Sequence, residues 1–315
     1  MTDTSPDRSS PDSTRAALLL TNRLVPLDAA PMTAREFWQL VERVDPADLL
    51  RDDVAAIASH ADVDHDEAVR LRTLLDAATA LTFEQERLHD NGISLVSALD
   101  ARFPSALRSR LGAACPPFLL VAGPMEWLGR SGLGIVGSRD ATGGLLDVAR
   151  RAAELAVGHA WAVVSGLARG VDQASMAGAL DAGGRVIGVP AEGITRAARS
   201  AEVRGRVHAG ELCIASPYAP DAPFRAGNAM GRNKIVYALS QVTFVVSADA
   251  GSGGTWAGAE EALERRYARV AVWVGDGAEA GNHALATRGA VPITDLTTLF
   301  DIDPAIPPPP QTSLF

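Results

Sequence analysis

The sequence predicts an α/β protein: a doubly wound, mostly parallel sheet preceded by a small all-helical domain. Three observations lead there. From Leu133 onward, short apolar runs at Leu133–Val136, Trp161–Val164, Val186–Val189, Leu212–Ala215, Val242–Ser247 and Val270–Val274 alternate with amphipathic segments at 143–158, 171–182, 195–209, 227–240 and 255–268, the strand–helix repeat of a parallel sheet. Apart from Thr243 and Ser247 those runs are apolar on successive residues instead of alternating with polar ones, as strands covered by helices on both faces require. Upstream, residues 15–90 show helical spacing only. At 315 residues the chain is long enough for about two domains and a full core.

Taken in order, residues 1–14 are rich in Ser, Pro, Asp and Thr and predict a disordered tail. Residues 15–90 form the acidic helical domain. Thr33 with Glu36 makes a capping box, followed by Phe37, Leu40, Val41 and Val44 at helical spacing as far as Pro46. Val54, Ile57 and Ala58, then Ala68, Leu71, Leu74 and Leu75, then Leu81 to Leu88 predict two or three more helices. Asn91-Gly92 punctuates their end, and residues 91–132, with Arg-Phe-Pro at 102–104 and Pro116-Pro117, are expected as an irregular connector. The α/β domain takes residues 133–300. In the tail, 301–315, Pro307 to Pro310 form a semi-rigid spacer before Gln-Thr-Ser-Leu-Phe.

Composition excludes several classes. With 47% hydrophobic and 21% charged residues this is a folding chain, and no apolar run approaches the 18 or so residues of a membrane span. The polar N-terminus lacks the basic-then-apolar form of a signal peptide, so a cytoplasmic protein without a membrane partner is expected. Cys115 and Cys213 have no CxxC partner, and the six histidines show neither HxxxH nor HExxH spacing, so neither a metal site nor a cofactor is expected. The net charge of −9 is unevenly spread. Residues 1–100 hold 19 acids against 9 bases, whereas residues 101–250 hold 16 bases against 11 acids. A polyanion can therefore be held by local field in the second region, while the acidic helical domain is expected to repel it and to serve protein contacts or shielding.

In an open parallel sheet the ligand lies at the carboxyl ends of the strands. Four elements of this chain fall there. The first strand runs into Gly137, Ser138 and Arg139, a turn where backbone amides and a guanidinium suit a phosphate, although any strand–helix turn favours a small residue such as Gly137. The second ends in Ser165, Gly166, Arg169, Gly170 and Asp172, where Asp172 is read as a helix cap and not as a catalytic acid. No nucleophile elbow is present, since Val163 stands where its first glycine would be. The third element joins Arg225 to Arg232, Asn233 and Lys234, the only lysine among 29 basic residues, with no acid from Ala222 to Ala248 to neutralise these cations locally. The fourth is the glycine-rich turn with Ser252, Gly253, Gly254 and Thr255, where a helix is expected to begin at Thr255. No GKS or GKT exists, which excludes a Walker A loop. No residue is assigned a catalytic role.

The segments GIVGSR, VVSGLARGVD, GRNKIVYALS and SGGTWAGAEEAL, in that order, resemble the DprA/Smf family of DNA-processing proteins over residues 91–295. The resemblance implies an extended Rossmann-like domain, single-stranded DNA binding without enzymatic activity, a homodimer, and the loading of a RecA-type recombinase during recombination or DNA uptake. It makes Arg139 and the cluster Arg232, Asn233 and Lys234 the leading DNA contacts. The chain departs from the family pattern in several places. Lys234 replaces an arginine, Ala215 and Ser216 replace Ser-Glu, and an arginine-bearing helix with Arg196, Arg199, Arg204 and Arg206 replaces a Tyr-Pro segment. No C-terminal winged helix is expected. The chain thus resembles a divergent member of that family, within the wider LOG-like Rossmann superfamily. The alternative implied by that superfamily is a nucleotide-binding sensor, including one in phage defence, or a LOG-like phosphoribohydrolase. Its motif places a glutamate three residues after the threonine, where this chain has Gly258, with Glu260 and Glu261 following. Finally, Gln311, Leu314 and Phe315 resemble the Q-x-x-L-F peptide that docks on the bacterial sliding clamp, with two apolar anchors and one directed amide.

Overall fold

The computed structural model describes residues 10–130 and 132–305. Among these, nine strands form a sheet in the order β1-β2-β6-β5-β4-β3-β7-β8-β9. They are β1 (Ile93–Ser97), β2 (Phe118–Ala122), β3 (Gly132–Val136), β4 (Ala162–Ser165), β5 (Val186–Gly188), β6 (Leu212–Ser216), β7 (Val242–Val245), β8 (Arg269–Trp273) and β9 (Val291–Ile293). β3 pairs in parallel with β4 and with β7, β7 with β8, and β8 with β9, whereas β1 with β2 and β2 with β6 are antiparallel. The mostly parallel α/β fold predicted from the apolar runs is the fold found. The chain divides into two compact units, the described parts of Met1–Gly129 with Gly188–Arg232 and of Arg130–Ile187 with Asn233–Phe315.

The first unit opens with α1 (Pro11–Thr21). Residues 10–14, expected as tail, are instead a helix start: the Ser10 side chain accepts from Ser13 N at 3.0 Å, Pro11 takes the first helical position and Asp12 the first turn. Ser, Pro and Asp are as common at a helix N-terminus as in a tail, and the buried Leu18, Leu19 and Leu20 decide for the helix. In α2 (Ala34–Arg43) the capping box forms, with Thr33 Oγ1 accepting from Glu36 N at 3.3 Å and the Glu36 carboxylate accepting from Thr33 N at 2.6 Å. That backbone bond from Thr33 is the main cause holding the Glu36 carboxyl below its ordinary range. Asp53 and Asp64 cap α3 (Val54–Ala61) and α4 (His65–Leu75), and α5 (Ala78–Asp90) leads into β1.

The connector expected at 91–132 is ordered structure: β1, then α6 (Ser105–Leu111), then β2. Pro116 and Pro117 delimit a strand and do not break one, as proline does at a strand's start. Leu95 pairs with Leu120 and Val121 with Ala215, so β2 is hydrogen-bonded along both edges. The single helix expected at 195–209 is split into α9 (Ile194–Ala197) and α10 (Ala201–His208), because Ser200 caps a new helix by accepting from Val203 N at 3.1 Å.

In the second unit α7 (Gly143–Gly158) buries an alanine stripe, Ala149, Ala152, Ala153 and Ala156. Such small residues allow close approach of α8 (Val171–Asp181), where a Cβ on Gly178 would stand 2.9 Å from the Arg150 carbonyl oxygen. α11 (Ala226–Leu239) gives its first half to the first unit and its second half to the second. After β7 come α12 (Gly253–Arg265), β8, α13 (Ala280–Thr287) and β9. The sequence pattern did not single out α13, yet it carries the fully buried Asn282. The Asn282 amide donates to Val246 O and Trp273 O and accepts from Ala248 N, each at 2.8 Å, which satisfies backbone groups left open where β7 and β8 end. Among the described residues no helix is long and apolar enough to cross a membrane.

Candidate functional site

β4, β3 and β7 are parallel neighbours, so the loops that follow them leave from one edge of the second unit. In the loop after β3, a Cβ on Gly137 would stand 2.5 Å from Val171 Cγ2, so the first residue of α8 is what demands glycine there. Ser138 Oγ accepts from Asp140 N at 3.2 Å, and Arg139 is exposed.

The loop after β4 differs from the open anion nest its glycines suggested. Ser165 is fully buried and donates to Ile135 O at 2.7 Å, a bond that ties β4 to β3 and turns the hydroxyl away from any ligand. Asp172, 5% exposed, accepts from Gly166 N at 3.1 Å and from Ala168 N at 3.4 Å, which spends two amides on bracing the loop. Asp172 therefore organises the turn before its own helix, close to the capping role expected of it. Gly170 has φ +75, and a Cβ there would run into Ser138 O and stand 2.7 Å from Arg139 O. Val171 N donates to Ser138 O at 3.3 Å, so the loops after β3 and β4 hold each other. Arg169 remains exposed on them.

After β7, the turn containing Ser252, Gly253 and Gly254 is exposed, and α12 starts at Gly253, two residues before the expected Thr255. Gly253 adopts φ +81, a conformation that admits glycine at no steric cost. Ser252 makes no side-chain cap, so the first-turn amides of α12 and its positive dipole end face outward, the arrangement that receives an anion. Asn233 Nδ2 donates to Gly254 O at 3.0 Å and holds this turn against α11.

Lys234 is not the locally unneutralised cation that the acid-free stretch suggested: its Nζ lies 2.8 Å from Glu261 Oε1 on α12. Gly258, where a LOG-type glutamate would stand, is buried, and a Cβ there would already be 3.1 Å from Asn233 Nδ2 and 3.5 Å from Tyr237 Cε2.

In the first unit Arg225 is exposed just before α11, but Arg232 is only 5% exposed and is no open fork for a phosphate. Its neighbour is Tyr218, a residue the sequence pattern did not single out although the chain has only three tyrosines. Tyr218 Oη donates to Asn228 O at 2.6 Å and accepts from the Arg232 backbone N–H. Burial pushes the phenol up to about 12, with the Arg232 charge opposing the shift. Gln311, Leu314 and Phe315 lie outside the described residues. Among the described residues no three His, Cys, Asp or Glu side chains gather as a metal site.

Comparison with known proteins places this arrangement. The family model for DNA recombination-mediator protein A matches residues 94–302. DNA processing protein DprA of Bacillus subtilis (strain 168) is 30% identical over 167 residues, 52% of this chain, and the chain spans about half of that relative's length, 55%. The X-ray structure of DNA processing protein A from Streptococcus pneumoniae shares the fold with a TM-score of 0.62 at 21% identity, covering 86% of this chain and 98% of that one. DNA processing protein A from Helicobacter pylori, solved for its single-stranded DNA binding mode, gives 0.56 at 21% identity, covering 66% and 94%. With four ordered motifs in the sequence, this fold, and a family match over most of its length, the chain belongs to the DNA recombination-mediator protein A family.

Proposed function

We propose that this chain is a non-enzymatic, cytoplasmic protein that grips single-stranded DNA without sequence preference and acts in DNA processing and recombination. The observation that carries the proposal is the edge of the second unit where the exposed Arg139 and Arg169 accompany the uncapped N-terminus of α12. Guanidiniums and helix-end amides recognise phosphate and carry no base code, which suits a polymer of any sequence. Membership of the family, and the single-stranded DNA binding described for the Helicobacter pylori relative, support it. Binding of a dT oligomer and of a mixed-sequence oligomer, followed by fluorescence anisotropy across salt, tests it. Arg139→Ala should weaken both alike and lower the salt slope by about 0.7, one phosphate contact on a single strand. Unchanged affinity and slope would remove Arg139 from the site.

The competing reading, a nucleotide sensor or LOG-like hydrolase, draws on the same helix N-terminus, but Gly258 stands where the glutamate of that motif would, and a side chain there would press on Asn233 Nδ2, 3.1 Å from its Cβ. Tight binding of a nucleoside monophosphate in calorimetry, with none of the oligomer, would reverse the ranking. The partners proposed with DNA binding are a second copy of this chain and a RecA-type recombinase. Through Gln311, Leu314 and Phe315 we add the sliding clamp. Equal clamp binding by the full chain and by one ending at Pro310 would remove the tail from that contact.

A further inference from the structure

Lys234 is the only lysine of the chain, and its ammonium lies 2.8 Å from Glu261 Oε1. Glu261 stands two turns into α12, the helix whose Gly253-Gly254 start belongs to the proposed phosphate face. The same Oε1 also receives the Tyr267 hydroxyl at 3.3 Å. The carboxylate thus has a second partner, while the ammonium stands at the end of a flexible four-carbon stem. The side chains of Lys234 and Glu261 are 31% and 28% exposed, so the pair lies at the surface and not in the core.

We propose that Glu261 is a resident competitor for Lys234, occupying the ammonium in the free protein and giving it up to a phosphate oxygen when single-stranded DNA binds. The inference rests on the DNA-binding reading above and deepens it. A partly exposed ion pair is weak, so the exchange lowers affinity by only several-fold. Its larger effect is on selection. A free phosphate or mononucleotide brings little local potential with which to displace the carboxylate, whereas a polyanion held at several points does. The exchange also has a signature in salt. A lysine that keeps its own carboxylate nearby neutralises less phosphate charge, and so adds less than about 0.7 to the slope.

The test uses four full-length proteins: wild type, Glu261→Gln, Lys234→Met and the double variant, titrated with a dT oligomer across salt. Glutamine keeps the shape of glutamate, and thermal midpoints report whether each variant is folded. Glu261→Gln should bind several-fold tighter with a steeper slope, and Lys234→Met should cost Glu261→Gln more than it costs wild type. An unchanged affinity and slope in Glu261→Gln would overturn the competition. So would an equal gain in the Lys234→Met background, which would mean only that a negative charge had been removed. Binding by wild type with no variant effect overturns this inference alone. No binding by any of the four overturns the DNA-binding function and this inference with it.

Discussion

Tyr218 bridges one turn of α11: its hydroxyl donates to the carbonyl of Asn228 at 2.6 Å and receives the backbone N–H of Arg232, four residues on. A Cβ on Gly231 would come within 3.0 Å of that hydroxyl, so glycine makes room for the phenol against the helix. Tyr218→Phe keeps the ring and leaves two backbone groups without this partner. It should lower stability by about 1–2 kcal/mol, read as a fall in the urea midpoint at constant slope. An unchanged midpoint would mean that the helix closes its own bond when the hydroxyl is gone.

The chain has three tyrosines, and burial raises all of them: Tyr218 to about 12, and Tyr237 and Tyr267 above the ordinary 10.0. In Tyr237 the Asp172 charge adds to the effect, and in Tyr267 the Glu261 charge does. The native protein should therefore show less phenolate absorbance at pH 10 than the unfolded chain, which is half ionised there. For an acid raised on folding, the folded state holds the extra proton. The stabilisation is complete below pH 10 and is lost as pH rises through the folded values. Alkaline titration in buffer and in denaturant checks both statements.

Gly170→Ala should be costly without touching any large side chain. The backbone there has φ +75, and the new methyl meets the carbonyl oxygens of Ser138 and Arg139. A loss of about 1–3 kcal/mol is expected from the backbone conformation, with more from the contact. The loops after β3 and β4 should also exchange amide hydrogens faster. Wild-type exchange and stability would show that the two loops do not depend on each other.

Asn282→Leu tests a residue with no exposed surface at all. It strands Val246 O, Trp273 O and Ala248 N in the interior, three backbone groups at about 1–3 kcal/mol each. A loss of at least about 3 kcal/mol in denaturant unfolding is expected.

What was legible in the sequence was local in cause. Residues 143–158 read as a helix and are one, and Thr33 with Glu36 announces a cap that forms as written. The parallel strands showed themselves because burial on both faces leaves uninterrupted apolar runs. The features missed depend on partners far along the chain. β2 is a strand because β1 borders one edge and β6, far along the chain, the other, and nothing near Pro116 and Pro117 says so. Lys234 looked unneutralised because no acid lies from Ala222 to Ala248, yet its partner Glu261 arrives from the next helix. Ser165 and Gly166 sit in a phosphate-like string of small residues, and only Ile135 and Asp172 reveal that their polar groups are already engaged.

The pairing of Leu120 with Ser216 and Val121 with Ala215 has a consequence for how the protein is made. As the nascent chain leaves the ribosome, β2 emerges complete but the edge it will share with β6 waits while β3, β4 and β5 are synthesised before β6 can close it. During that interval five successive apolar residues, Phe118 to Ala122, present an open hydrogen-bonding edge, the kind that recruits strands from other chains. Translation speed between residues 123 and 211 should therefore govern yield, with slow passage favouring aggregates and chaperone capture.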